Sequence, residues 1–184
     1  MTGREHTDVV GLDLSLTSTG IAVIGSGAPW CATIESKGKA DAPWQARYRR
    51  LGDLVLRVRA AIAPGAFVVL EAPAYSRTTG HQHDRSGLWW MVHDRLASSG
   101  GCTVLPVGPN LRAKYATGKG NAGKDAVLAA AVRRYPHIAI TGNDTADAVV
   151  LAAIGCRLLG RPIDDPMPKT HLAALDTIRI PTEA

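Results

Sequence analysis

Four acidic residues stand where an acid needs a reason: Asp13, Glu71, Asp144 and Asp147. Asp13 interrupts the apolar run Val9, Val10, Gly11, Leu12, Asp13, Leu14, and Glu71 ends the run Phe67, Val68, Val69, Leu70. Aspartate is depleted in strands and costs several kcal/mol to bury without a partner. Asp144 and Asp147 are three residues apart at the start of a helical pattern. Asp147 leads into Leu151, Ile154 and Leu158, which places it on the stripe that faces a core. Taken singly, Asp13 also suits a turn cap and Asp144 a first-turn acid behind an Asn143 N-cap. Together, four carboxylates in one pocket would raise one another's pKa unless cations neutralised them. Hard oxygen ligands without His or Cys suit Mg²⁺, with Mn²⁺ as a substitute. Two such ions about 4 Å apart can act on both sides of a phosphodiester, so the chemistry implied is phosphodiester hydrolysis.

A second group is basic. Arg112, Lys114, Lys119 and Lys124 fall in a stretch with Gly118, Gly120 and Gly123, and Asp125 is its only acid. Glycines admit close backbone approach and the cations neutralise phosphates, so the stretch is assigned to DNA backbone contact, with a solvated surface loop as the competing reading. Gly118 to Lys124 also fits the spacing of a P-loop. Asp125 stands where the metal-binding Ser or Thr should be and no convincing strand precedes it, so that reading is rejected. The loop after Glu71 holds Tyr75, Arg77, His81, His83 and Arg85, and Arg77 is assigned with it to DNA. Two histidines alone do not make a zinc site. Arg47, Arg50 and Arg57 either extend the basic surface or are ordinary solvated charges.

The elements that must position these residues follow from periodicity. Val9–Leu14, a turn over Ser15–Ser18 and Gly20–Ile24 read as two strands, and 30–35 as a third. Trp44, Tyr48, Leu51, Val55, Val58 and Ile62 mark one face of a long helix, stopped by Pro64 and Gly65. Phe67–Glu71 suits a buried parallel strand reached by a crossover. A helix over about 84–98, a strand over 103–107, one or two helical turns around 111–115, and helices over 124–135 and 143–159 complete the pattern. The fold class is α/β with a mixed sheet flanked by helices, whose parallel strands bring their carboxyl ends to one edge. Residues 1–160 form the domain. Residues 161–184, rich in proline and charge, read as a tail outside its core, with at most a short helix near 171–177. In the helix over 84–98, Leu88, Trp89, Val92 and Leu96 form one apolar face while Trp90 and Met91 point elsewhere. That favours a second subunit, against a single large core.

The 184 residues suffice for one ordinary domain, and a hydrophobic content of 46% with 20% charged residues is that of a globular protein. Three scattered cysteines indicate neither a disulfide framework nor a zinc site. No apolar run approaches the roughly 20 residues of a membrane span, and the polar first eight residues are unlike a signal peptide, so a cytoplasmic location without membrane contact is expected. The net charge of +5 points to an anionic partner.

Four segments in order, GLDLSLTSTGIAV from Gly11, VVLEAPAY from Val68, TGKGNAGKDAV from Thr117 and NDTADAVVLA from Asn143, resemble the RuvC-like Holliday junction resolvases of the ribonuclease H-like superfamily, in particular their phage type. The resemblance implies a ribonuclease H-like fold and makes Asp13, Glu71, Asp144 and Asp147 the catalytic acids that bind two metal ions. It also places Lys124 and Lys114 near the active site, where a lysine can stabilise charge on the phosphate. Tyr75 then stands where the family carries an aromatic that stacks on unpaired bases, unless it only anchors its loop. A homodimer acting on four-way DNA junctions is implied. Ser15, where bacterial members often have glycine, and a loop from Lys114 to Lys124 about one residue shorter are departures that bear on cleavage sequence. Three competing readings stay open: a broader flap or replication-fork endonuclease, a DNA-binding protein without catalysis, and an actin-like nucleotide-binding protein suggested by Asp13, Ser15, Thr17 and Gly20.

Overall fold

The structure is a computed structural model that describes residues 7–39, 41–73 and 81–181. Strands β1 (Val9–Asp13), β2 (Ser18–Ile24), β3 (Trp30–Glu35), β4 (Phe67–Glu71) and β5 (Thr103–Val107) form one sheet in the order β3-β2-β1-β4-β5. The first three strands are a meander. Val9 faces Ile24 and Asp13 faces Gly20 across the antiparallel β1–β2 pair, and β3 runs antiparallel to β2. Strands β4 and β5 join in parallel, each after a helical crossover, as parallel pairing requires. The expected mixed α/β sheet is the one observed.

The helices are α1 (Trp44–Ala60), α2 (Gln82–Asp94), α3 (Pro109–Thr117), α4 (Lys124–Arg134), α5 (Asn143–Leu158) and the single turn α6 (Lys169–Leu172). A π-helical turn over Arg95–Ser99 extends α2. Helices α1 and α2 cover one face of the sheet, where Leu54, Val55, Val58, Leu88, Val92 and Leu96 bury Val10, Leu12, Ile21, Val68 and Leu70. The other face carries α5 with α3 and α4 around it, and buries Val9, Ala22, Phe67, Val69 and Leu105.

Strand parity decides which side chains enter the site. Side chains alternate between faces, so if Val10 and Leu12 meet α1 and α2, then Val9, Gly11 and Asp13 face α5. On β4, Phe67 and Val69 share the α5 face, and Glu71 follows them onto it. The β1–β4 register aligns Leu12 with Leu70, so the next residue of each strand is an acid and the two stand side by side.

Two expectations need correction. The one or two helical turns expected around 111–115 are a longer helix: α3 spans nine residues, opened by Pro109 at its first position and closed by Gly118 at φ 81°. Nor is the C-terminal segment outside the core, because Ala174 and Ile178 are buried in the α5-side cluster. Its proline-rich composition excludes long regular elements but not docking. No helix among the described residues is long and apolar enough to cross a membrane.

Candidate active site

The position of α5 depends on glycines in the strands beneath it. A side-chain carbon added to Gly11 would collide with the Ala148 carbonyl and the Ala152 nitrogen, and one added to Gly20 would collide with the Asp144 backbone. Helix and sheet therefore touch backbone to backbone. This contact lowers the first turns of α5 onto the ends of β1 and β2. The helix is capped by Gly142 rather than by Asn143, and Thr145 fixes the turn: its Oγ1 accepts from the Thr141 and Gly142 nitrogens at 3.2 and 3.1 Å and donates to the Gly142 carbonyl at 2.9 Å. Asn143 is the first helical residue, and its buried Oδ1 has no hydrogen-bond partner among the described residues.

Asp147 is 2% exposed on the stripe the sequence pattern assigned to it. Asp144, one turn earlier and less buried, accepts a 2.6 Å hydrogen bond from Ser18 Oγ at the start of β2. Glu71 sits at the end of β4, where Trp89 Nε1 donates to its backbone carbonyl at 2.8 Å and ties the strand end to α2. Burial raises the Asp13 carboxyl, and the neighbouring charges of Glu71 and Asp147 raise it further, to about 8 against the pull of Arg112. Asp147 is pushed up to about 6, chiefly by burial, while Arg112 and, more weakly, Lys124 lower it. Asp13, Glu71, Asp144 and Asp147 thus share one electrostatic site.

Arg112 is where expectation and structure part. It is 7% exposed on the inner side of α3, not on a surface loop. Its Nε donates to Glu71 Oε2 and its terminal nitrogen to Asp147 Oδ1. A guanidinium so engaged is a counter-ion of the acids and not a free phosphate contact. The sequence did carry a signal: Arg112, Tyr115 and Ala116 lie at positions i, i+3 and i+4, so the arginine belongs to the stripe that buries Tyr115 and Ala116.

The other predicted cations separate. Lys124 is exposed at the first position of α4, within electrostatic reach of Asp147. Lys119 is exposed beyond the α3 cap. Lys114 turns the other way, its Nζ donating to the Ala173 carbonyl at 3.4 Å. Tyr75 and Arg77 lie outside the described residues. Three arginines on α1 make structural contacts. Arg47 pairs with Asp84 of α2, Arg50 donates to Ser36 Oγ at 2.9 Å and to the Leu16 carbonyl, and Arg57 donates to the Glu35 carbonyl at 2.8 Å.

The donor set is all oxygen and carries more acid than Arg112, the one buried cation among the described residues, can neutralise, which fits hard divalent ions by charge and chemistry. Its present arrangement is less suited: among the described residues no three His, Cys, Asp or Glu side chains surround one metal-sized point. Glu71 and Asp147 are instead turned to the Arg112 guanidinium.

No family model matches this chain, and no curated protein matches it. Solved structures do. A structure of RuvC from Thermus thermophilus aligns over 87% of this chain and 99% of its own, at a TM-score of 0.61 and 20% identity. A structure of T. thermophilus RuvC in complex with Holliday junction substrate aligns over 88% and 100%, at a TM-score of 0.59 and 20% identity. The chain has the ribonuclease H-like fold of RuvC, as its four motif segments led us to expect.

Proposed function

We propose that this protein is a RuvC-like endodeoxyribonuclease that resolves Holliday junctions by hydrolysis dependent on two divalent metal ions. The observation that carries this reading is the convergence of Asp13 from β1, Glu71 from β4 and Asp144 and Asp147 from α5 at one edge of a RuvC-like sheet. These acids would hold two Mg²⁺ ions, or Mn²⁺ in their place, which would supply the chemistry of water activation and of charge neutralisation at the phosphate and the leaving oxygen. Asp13, close to the charges of Glu71 and Asp147, would be the central residue of that ligand set. Ser18 orients Asp144 through its hydrogen bond, and the buried Asp147 is held by its helix. Lys124, at the mouth, stabilises negative charge developing on the phosphate. Lys119, with Tyr75 and Arg77, contacts the DNA.

A dimer fits this reading, since two-fold protein symmetry matches that of a four-way junction. The exposed rings of Trp44, Tyr48 and Trp90, 67, 70 and 64% accessible on the neighbouring helices α1 and α2, supply an apolar surface for a second copy.

The test offers purified protein four-way, three-way, flap and linear DNA with Mg²⁺ and maps the nicks. Paired symmetric nicks in four-way DNA alone are expected. Equal cutting of flaps or forks would replace resolution by a broader branched-DNA nuclease. Asp147→Asn is expected to keep junction binding and to lower cleavage by at least about a hundredfold, because a lost metal ligand should cost no less than a lost outer-shell partner. Cleavage at the normal rate would remove Asp147 from the site.

A further inference from the structure

Arg112 is directed at the acids of the site. From the inner side of α3 its side chain, 9% exposed, reaches Glu71 at the end of β4 and Asp147 on α5, and donates to both. It joins two acids from different elements that would otherwise repel each other. Its charge is also insufficient: four carboxyl groups, Asp13, Glu71, Asp144 and Asp147, share this cation, the only buried one among the described residues, and they crowd closely enough that Asp13 keeps its proton to about pH 8.

We infer that Arg112 is a built-in competitor of the metal ions: its guanidinium holds Glu71 and Asp147 together in the metal-free protein, gives them up when divalent ions bind, and so sets the metal concentration at which the site fills. This rests on the proposed metal-binding role of the acids. The donor geometry supports it. A guanidinium is a planar fork of N–H donors that engages carboxylate lone pairs and cannot itself ligate a metal. The oxygens it occupies, one on Glu71 and one on Asp147, are those a metal would draw on. Two charges a few ångströms apart in a partly buried site interact strongly, so a fixed positive charge among the ligands lowers affinity for any further cation. The backbone that carries Arg112 does not depend on these two bonds, because its neighbours Ala113, Tyr115 and Ala116 on α3 are themselves buried.

The test uses the whole 184-residue chain, stripped of metal, and needs no DNA. Mn²⁺ is titrated calorimetrically into wild type, Arg112→Gln, Arg112→Lys and Arg133→Gln, and thermal midpoints are recorded with and without Mn²⁺. Arg133 is exposed on α4, so its variant removes the same charge outside the site. Arg112→Gln is expected to bind Mn²⁺ about tenfold or more tightly than wild type. It should also melt at a lower temperature without metal and gain more from Mn²⁺. Arg112→Lys, which keeps a charge but lacks the planar fork, should fall between, and Arg133→Gln should match wild type. Equal or weaker binding by both Arg112 variants would overturn the inference and leave the metal site standing. So would midpoints that stay low whatever the Mn²⁺ concentration. Absence of Mn²⁺ binding in wild type and in every variant would overturn the metal-site reading itself.

Discussion

Asp13 holds the most strained protonation state in the site. Its ordinary value near 3.8 is raised to about 8 by burial and by the charges of Glu71 and Asp147, so without metal the folded protein keeps a proton there that the unfolded chain releases. The sign follows from linkage. Where the native state binds more protons than the unfolded state, stability falls as pH rises, here from about 4 to about 8, and levels off above. Asp147, raised to about 6, adds the same sign over the lower part of that range. In chelator-treated protein the melting midpoint is therefore expected to fall by roughly 5 °C or more between pH 5 and pH 8. Asp13→Asn, which cannot titrate, should flatten most of that slope. An unchanged slope would show that the acids are not coupled as described. Asp13, Glu71 and Asp147 were legible in the sequence because each is an acid at a position whose period demands an apolar residue. The partnership of Arg112 with two of them was not. Its surroundings are rich in glycine and lysine, and that composition suggested a surface loop, whereas its helical phase relative to Tyr115 is what buries it.

At the scale of elements, the site exists because α5 can lie against β1 and β2 without intervening side chains. Gly11 is the closest point, since a side-chain carbon there would collide with the Ala148 carbonyl. Backbone cannot step aside as a flexible side chain can. Gly11→Ala should therefore shift α5 or strain the strand, and is expected to destabilise the protein by about 2 kcal/mol or more, some 5 °C in midpoint. Gly52→Ala is the internal comparison: in the middle of α1 nothing lies within 4 Å of the added carbon, and alanine is the better helix former, so a gain of about 0.5–1 kcal/mol is expected. Both are read from chemical denaturation, and similar effects of the two would contradict the close contact at Gly11. Periodicity located β3, β4 and β5 with their observed limits, because short apolar runs bounded by turn formers leave little freedom. It placed the start of β2 two residues late, at Gly20 instead of Ser18. Ser18 and Thr19 look like turn residues until Thr19 is seen fully buried, its hydroxyl donating to the Ser15 carbonyl at 2.9 Å.

At the scale of the whole molecule, the C-terminal segment ties the back of the domain to the basic loop. Its anchor is Asp164, whose side chain is fully buried. Asp164 accepts from Tyr115 Oη at 2.8 Å, from Tyr135 Oη at 3.0 Å and from Arg157, so residues of α3, the end of α4 and α5 meet on one carboxylate. Arg157 Nε also donates to Tyr115 Oη at 2.9 Å, and both tyrosines are fully buried. The phenols are held above their usual range by burial first and by the Asp164 charge second, which keeps them neutral donors. Further along, His171 packs against Gly118 at the start of the basic loop, and the Ala173 carbonyl receives Lys114. Sequence composition hid this segment because its docking depends on one acid satisfied by three donors, two of them tyrosines distant in the chain. Asp164→Ala would leave a partly buried guanidinium and two buried phenols without their acceptor. We expect a loss of about 3–5 kcal/mol, near 10 °C in midpoint. Asp164→Asn, which still accepts hydrogen bonds, should lose less. The two variants separate docking from general damage when amide exchange is followed by mass spectrometry. Faster exchange confined to α6, to residues 118–123 and to the end of α4, with β1 and β4 still protected, is the expected pattern. Uniform acceleration over the sheet would mean that Asp164 supports the core itself and not the attachment of the C-terminal segment.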